Sequence, residues 1–134
     1  MPWGETKEIQ IPVTLTGSAG SASGNGQSGA GSGSTVVPFP VRGWLEAIIL
    51  QYNGQPATTV VAVSEVGGLA RTFLTISAAN TDGVWYPRYQ AAGPTGAAIA
   101  GVYVRAWIAG LVLKVAVSSG NAGIMTARLF ISEV

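Results

Sequence analysis

Short runs of β-branched residues, separated by turns that contain glycine, constrain the fold of this chain more than any other feature. Runs that recur about every 8–12 residues with turn signals between them are typical of antiparallel β-sandwiches and small barrels. No segment of helical period reaches a convincing length. The sequence therefore predicts an all-β fold: a single β-sandwich of about eight short antiparallel strands over residues 1–134. Jelly-roll and immunoglobulin-like topologies both remain open, because turn signals do not encode strand order.

The first predicted strand spans residues 8–16 and follows an N-terminal arm at residues 1–7. Its alternating apolar side chains share one face. They are Ile9, Ile11, Val13 and Leu15. Pro12 has no N–H for a ladder, so this strand should lie at a sheet edge or leave its Pro12 side unpaired. Trp3, ahead of the strand, is a candidate anchor into a partner.

Residues 17–34 consist almost wholly of Gly, Ser and Ala. This composition is typical of a flexible loop. Asn25-Gly26 at its centre is, however, the preferred pair for a type I′ turn, and folding about it would set Thr16 opposite Thr35 in a hairpin arm. A ribbon of small residues buries too little to be stable alone, so such an arm would order only on another surface, for example a neighbouring subunit. The loop and the arm both remain open.

The rest of the chain is predicted to consist of hairpins. Asn53-Gly54 should join two adjacent strands through a type I′ turn, and Asp82-Gly83 should turn the next pair. Residues 91–101 are predicted to be mostly loop. The predicted strands are 43–52, 58–64, 71–77, 84–89, 102–108, 111–117 and 124–131.

The residue inventory argues against catalysis. With no His and no Cys, the chain lacks the usual general base at neutral pH and the ligands of a typical zinc site. Glu46 and Glu65 could meet across a sheet, but nothing in their spacing requires a catalytic pair. Phosphate-loop, nucleophile-elbow and calcium-loop motifs are missing from the sequence. We therefore expect no enzymatic activity, no metal and no cofactor.

Charged residues make up only 10 % of the chain, against about 25 % in typical soluble domains. One interpretation is that other subunits cover part of the surface; the alternative is a Gly/Ser/Thr-rich surface that is polar without charge. The seven basic residues are scattered singly, so direct nucleic-acid binding is not expected. No segment reads as a membrane span or a secretory signal.

The densest aromatic and basic cluster is Trp85-Tyr86-Pro87-Arg88-Tyr89. Trp85 and its alternate neighbours can pack in the core, because large aromatic residues dominate cores. The alternative is a contact patch, or a platform on which sugar rings stack, since Tyr, Trp and Arg are enriched at binding hot spots. Trp44 and Trp107 lie inside strand runs and are predicted to be core. The candidate interface residues are Trp3, Asn25, Gly26, Trp85, Tyr86, Arg88 and Tyr89.

Three segments resemble small β-proteins encoded in phage and prophage structural regions. Residues 41–48, V-R-G-W-L-E-A-I, are similar to a v-x-G-x-L-x-A-I strand of those proteins. W-Y-P-R at residues 85–88 resembles another of their segments, and residues 113–123 resemble their L-K-V-x-V-x-x-G-G-x-x-x-G ending. The resemblance covers about residues 36–134, and residues 17–34 depart from it.

This resemblance implies a virion component, made in the host cytoplasm and carried on the phage head. The specific role that we expect from this resemblance is that of a capsid cement, or decoration, protein. Such a protein would form a homotrimer and bind the major capsid protein, bridging capsomers. A minor head or tail component and a carbohydrate- or receptor-binding module remain the alternatives.

Overall fold

The computed structural model describes residues 6–16, 31–67, 69–77 and 79–132. These residues form ten β-strands and no helix, which confirms the all-β prediction. The strands are β1 Thr6–Leu15, β2 Gly31–Val36, β3 Val41–Gln51, β4 Val60–Val66, β5 Thr72–Ile76, β6 Gly83–Trp85, β7 Tyr89–Ala92, β8 Ala98–Val104, β9 Ala106–Gly120 and β10 Gly123–Ser132.

Strand β9 organises the fold. Eight strands form one antiparallel sheet in the order β1-β10-β3-β9-β4-β5, with β2 paired to β9 and β6 to β3. The 15 residues of β9 pair with β3 over their first part and with β4 and β2 over their second. The sheet therefore folds over along β9 as a β-sandwich. Strands β7 and β8 form a separate two-stranded sheet.

The core lies between the two halves of the folded sheet. One cluster of buried side chains takes members from β1, β3, β4, β5, β9 and β10. The alternation predicted for β1 is confirmed, because Ile11, Val13 and Leu15 are buried and Ile9 packs at the margin. Each fully buried side chain of this size contributes about 1.5–3 kcal/mol.

A β-bulge at Glu46 reverses the alternation of β3. Leu45 and Ala47 face consecutive residues of β10, so Glu46 between them has no partner on that strand. Leu45 is fully buried before the bulge and Ile48 is fully buried after it. The sequence alternation would place Glu46 on the face of Ile48. The bulge instead leaves Glu46 half-exposed. There it contacts Arg105, which also lies against the Trp44 ring.

The Asn53-Gly54 turn forms, but it does not join paired strands. Both residues have positive φ, 53° and 81°, and the Gln55 N–H donates to the Tyr52 carbonyl. This is the geometry of a type I′ turn. Strand β3 nevertheless pairs with β10, β9 and β6, whereas β4 pairs with β9 and β5. The predicted hairpin between residues 43–52 and 58–64 is wrong, although both strands exist.

Two further pairings differ from the prediction. Asp82 Oδ1 accepts a hydrogen bond of 2.7 Å from the Tyr52 N–H, which ties this turn to the end of β3. Strand β6 then pairs with β3 and not with β5. Residues 91–101, predicted to be loop, instead belong largely to the β7–β8 hairpin. In each case a few neighbouring residues predicted the turn, whereas contacts with distant parts of the chain determined which strands pair.

Strands β1 and β2 extend into residues that the sequence assigned to the N-terminal arm and to the Gly/Ser-rich loop or arm. Residues 6–7, assigned to the N-terminal arm, pair with β10, and residues 31–34, assigned to the loop or arm, belong to β2. Thr16 lies opposite Ser32, not Thr35, and the two backbones exchange two hydrogen bonds. Residues 17–30 lie outside the described part of the chain.

Close packing of β2 against β1 requires a glycine at position 33. A Cβ on Gly33 would overlap the Thr14 carbonyl oxygen. Further along the two strands, the Thr35 hydroxyl donates to the Pro12 carbonyl at 2.7 Å. Pro12 thus sits in an edge strand, as predicted from its missing N–H.

Candidate interaction surface

The β7–β8 hairpin, residues 89–104, projects from the sandwich and is called the arm below. All seven residues of β8 are exposed. Among the described residues, β8 makes substantial contact with β7 alone. Its sequence, A-I-A-G-V-Y-V, carries no charge. Its large side chains are between 43 % and 61 % exposed: Ile99, Val102, Tyr103 and Val104.

Such a strand is unusual on a protein that works alone. Natural edge strands are normally protected by Lys, Pro, bulges or a covering loop. A lone two-stranded hairpin is also marginally stable in water, and contiguous exposed apolar surface marks an interaction site. The arm is therefore the candidate interaction surface.

Three side chains fasten the foot of the arm to the sandwich. Arg88 Nη1 donates to the Glu46 carbonyl at 3.2 Å, and the Tyr89 hydroxyl donates to the Thr72 carbonyl at 2.9 Å. On the other strand, Arg105 Nη1 lies 2.6 Å from Glu46 Oε2 in an ion pair. Both strands of the arm are thus held where they leave the body, which gives the arm a defined direction.

Trp44 and Trp107 lie beside this foot. They form a cross-strand pair between β3 and β9, with ring centroids 4.9 Å apart and planes at 64°. The Arg105 guanidinium stands 5.2 Å from the centre of the Trp44 ring, so it contacts Trp44 and Glu46 together. Both tryptophans are half-buried on the outer face. The prediction that they lie in the core is wrong, because Ala106 and the other inward positions of β9 alternate with Trp107.

A shallow depression of about 410 Å³ opens next to the tryptophan pair. Trp44, Arg88, Tyr103 and Arg105 line it. It combines aromatic surface with two guanidinium groups, which is a composition found at binding hot spots.

The buried carboxylate of Glu65 is held by Arg71. Arg71 Nε and Nη2 donate to the two carboxylate oxygens at 2.9 Å and 3.0 Å, and Nη2 also donates to the Trp107 carbonyl at 2.7 Å. The side-chain hydrogen bonds from Arg71 hold the pKa of Glu65 below its ordinary value, although burial opposes this. Glu65 is thus bound to Arg71, whereas Glu46 is bound to Arg105, so each of the two acids has its own arginine.

The predicted W-Y-P-R-Y patch is divided by the structure. Tyr86 is 65 % exposed. Trp85 packs against the core margin and over Gly83, where a Cβ would stand 3.1 Å from its ring. Arg88 and Tyr89 serve the foot of the arm. The other candidate residues, Trp3, Asn25 and Gly26, lie outside the described residues.

Sequence reasoning missed the arm itself. A usable signal was present: residues 98–104 form an uncharged, β-branched run next to the Gly93–Gly96 turn, which closes with a hydrogen bond from the Gly96 N–H to the Gly93 carbonyl. Alternation around Trp107 could also have placed that ring outside, since Ala106 and Ile108 on either side are the apolar inward pair.

In the described part of the chain no group of three His, Cys, Asp or Glu side chains could hold a metal ion, and no helix there is long and apolar enough to cross a membrane. The chain matches no family model and no curated protein or solved structure at a significant level.

Proposed function

We propose that this protein is a non-enzymatic phage virion component, a capsid cement protein that forms a homotrimer and binds the major capsid protein on the head surface. The observation that carries the proposal is the arm: an uncharged strand, open on both faces, held in a fixed direction by its foot. Burial of such an apolar surface between subunits is favourable, whereas its exposure to water is not.

Cementing a capsid requires area buried across subunit joints. Each 1,000 Å² of apolar surface removed from water is worth about 25 kcal/mol gross, before the costs of association. A projecting arm reaches across a joint without enlarging the domain. The low content of charged residues, 10 %, keeps the desolvation cost of such contacts small.

The experiment is co-sedimentation with empty capsids assembled from the major capsid protein of the same genome. Wild-type protein should pellet with the capsids, and Val102→Lys should not, because it places a charge in the middle of β8. Val66→Lys is the matched control, since Val66 on β4 is as exposed as Val102, 44 % in both cases. Wild-type protein that stays in the supernatant at saturating capsid would overturn the proposal.

A carbohydrate-binding module is the second candidate, favoured by the depression next to the tryptophan pair. Trp44 and Tyr103 offer aromatic surface there, and Arg88 and Arg105 offer donors for hydroxyl or carboxylate groups. A glycan array followed by tryptophan fluorescence titration tests it. A hit whose fluorescence change disappears in Tyr103→Ala would support this function, and an array without hits would eliminate it.

A further inference from the structure

The depression next to the tryptophan pair carries an uncompensated positive charge. Arg88 and Arg105 both line it. Arg105 is neutralised by Glu46, whose Oε2 lies 2.6 Å from its Nη1. Arg88 Nη1 instead donates to two uncharged acceptors, the Glu46 carbonyl at 3.2 Å and the Pro87 carbonyl at 2.7 Å. Within the described part of the chain, Arg88 therefore has no carboxylate partner.

The Arg88 guanidinium is held in place and still has donors available. A guanidinium presents its N–H groups as a rigid fork, and the edge formed by Nε and Nη2 can bind a carboxylate through two parallel hydrogen bonds. The two backbone carbonyls bond Nη1 alone. Because these bonds already restrict the side chain, binding of an anion at the other edge costs less conformational entropy than it would at a freely rotating arginine.

Tyr103 adds an aromatic surface to the same depression. It lies on β8 opposite Gln90, and it is 61 % exposed. The Trp44 ring is already covered in part by the Arg105 guanidinium, 5.2 Å from its centre, so Tyr103 is the more open of the two rings. Its apolar face and its hydroxyl, which can donate and accept, complement the C–H and O–H groups of a pyranose ring.

We infer that this depression binds a sugar that carries one carboxylate, with Arg88 holding the carboxylate and Tyr103 packing against the sugar ring. The inference rests on the carbohydrate-binding function given above as the second candidate, and it names the ligand class. A volume of about 410 Å³ lies within the range of small-molecule sites. Since the depression is shallow, the remaining hydroxyl groups of the sugar stay in water.

The charges around the depression favour a carboxylate over a phosphate. The single uncompensated charge of Arg88 matches the single charge of a carboxylate. A phosphate monoester carries about −1.5 to −2 charges at pH 7. Its second charge would have no partner, because Arg105 is already paired, and it would be repelled by the Glu46 carboxylate. We therefore expect an acidic sugar to bind more tightly than a phosphorylated one.

Four probes that differ in one feature each test the ligand class. Methyl glucuronide carries the ring and one carboxylate, methyl glucoside the ring alone, methyl glucoside 6-phosphate the ring and a phosphate, and the capped peptide Gly-Glu-Gly a carboxylate alone. In titrations followed by nuclear magnetic resonance, methyl glucuronide should shift the amides of residues 103–105 and the Trp44 indole N–H. The other three probes should bind about tenfold more weakly or less, since each lacks one of the proposed contacts or adds a repulsion.

Three arginine variants test the role of Arg88. Arg88→Gln should weaken methyl glucuronide about tenfold, to the level of the glucoside, because it removes a charge-assisted pair. Arg88→Lys should restore little of the loss, since lysine lacks the planar fork. Arg42→Gln is the matched control: it removes the same charge from an exposed arginine outside the depression and should leave binding unchanged. Circular dichroism checks that each variant is folded.

The outcomes separate this inference from both proposed functions. Equal binding of glucuronide and glucoside, or glucuronide binding that survives Arg88→Gln, overturns the acidic-sugar inference and leaves carbohydrate binding standing. Peptide binding as tight as that of the glucuronide also overturns it and assigns the depression to an acidic protein segment. Absence of binding by every sugar, together with an array without hits, removes the carbohydrate function as well. Capsid co-sedimentation, tested through Val102 on β8, is independent of all these results.

Discussion

Strands β10 and β8 are both rich in apolar residues, yet one is in the core and the other is outside it. In β10 alternate side chains are buried, among them Ala127 at 1 % and Leu129 at 0 % exposure. In β8 every residue is exposed. The difference is that β10 lies between β1 and β3 and faces the opposite half of the sandwich, whereas β8 pairs with β7 alone. The arm thus shows that an apolar strand is buried only where the fold provides a second layer.

The largest difference in stability should appear when an apolar side chain is truncated to alanine in β10 and, separately, in β8. Leu129→Ala leaves a cavity in the core and should lower the free energy of unfolding by about 2–5 kcal/mol. Ile99→Ala in the arm should change it by less than about 0.5 kcal/mol. Chemical denaturation measures both. A large loss for Ile99→Ala in the isolated chain would show that the arm is packed against the body.

Two glycine-to-alanine substitutions compare backbone packing in the sandwich with backbone packing in the arm. Gly33→Ala places a Cβ against the Thr14 carbonyl and should cost about 3 kcal/mol, because backbone on both sides must move. Gly93→Ala at the turn of the arm meets its nearest atom at 3.8 Å, an ordinary contact, and should be close to neutral. Thermal unfolding followed by circular dichroism distinguishes them. Equal melting temperatures would show that β2 does not pack against β1 as described.

The buried ion pair gives the body a pH dependence. Arg71 lowers the folded-state pKa of Glu65. The contribution of this ion pair to the free energy of unfolding is therefore present above the ordinary carboxyl pKa and is lost as the pH falls through the lowered pKa. Glu65→Gln should cost about 1–3 kcal/mol at pH 7 and should flatten the loss of stability below about pH 4. Denaturation midpoints between pH 3 and pH 7 provide the measurement. An unchanged pH profile in the variant would contradict this role.

The smallest effect on global stability should come from the ion pair at the foot of the arm. Glu46→Gln weakens a partly exposed pair and should cost below about 1 kcal/mol. It should nevertheless speed amide hydrogen exchange in residues 98–104, because Arg105 no longer holds the end of β8. Exchange in β10 serves as the internal control. Equal exchange rates in the arm of wild type and variant would show that Glu46 does not position it.

The sequence alone does not predict most contacts of the candidate site, because these contacts join strands that are far apart in the chain. The residue types of Arg88 and Tyr89 predict contact residues, but their hydrogen bonds to Glu46 and Thr72 depend on strands that are distant in sequence. Glu46 itself reaches the foot only because of the bulge opposite β10. Residue type singled out this region, and the tertiary contacts show that Arg88 and Tyr89 hold the foot of the arm.

Local physics was sufficient for the positions of most strands, for the type I′ turn at Asn53-Gly54 and for the edge position that Pro12 imposes on β1. These features follow from backbone sterics and a period of two residues, which operate over a few neighbours. Strand pairing, the outward placement of Trp44 and Trp107, and the exposure of β8 depend on which elements lie opposite one another. Only the folded chain decides them, because burial is a property of neighbours far apart in sequence.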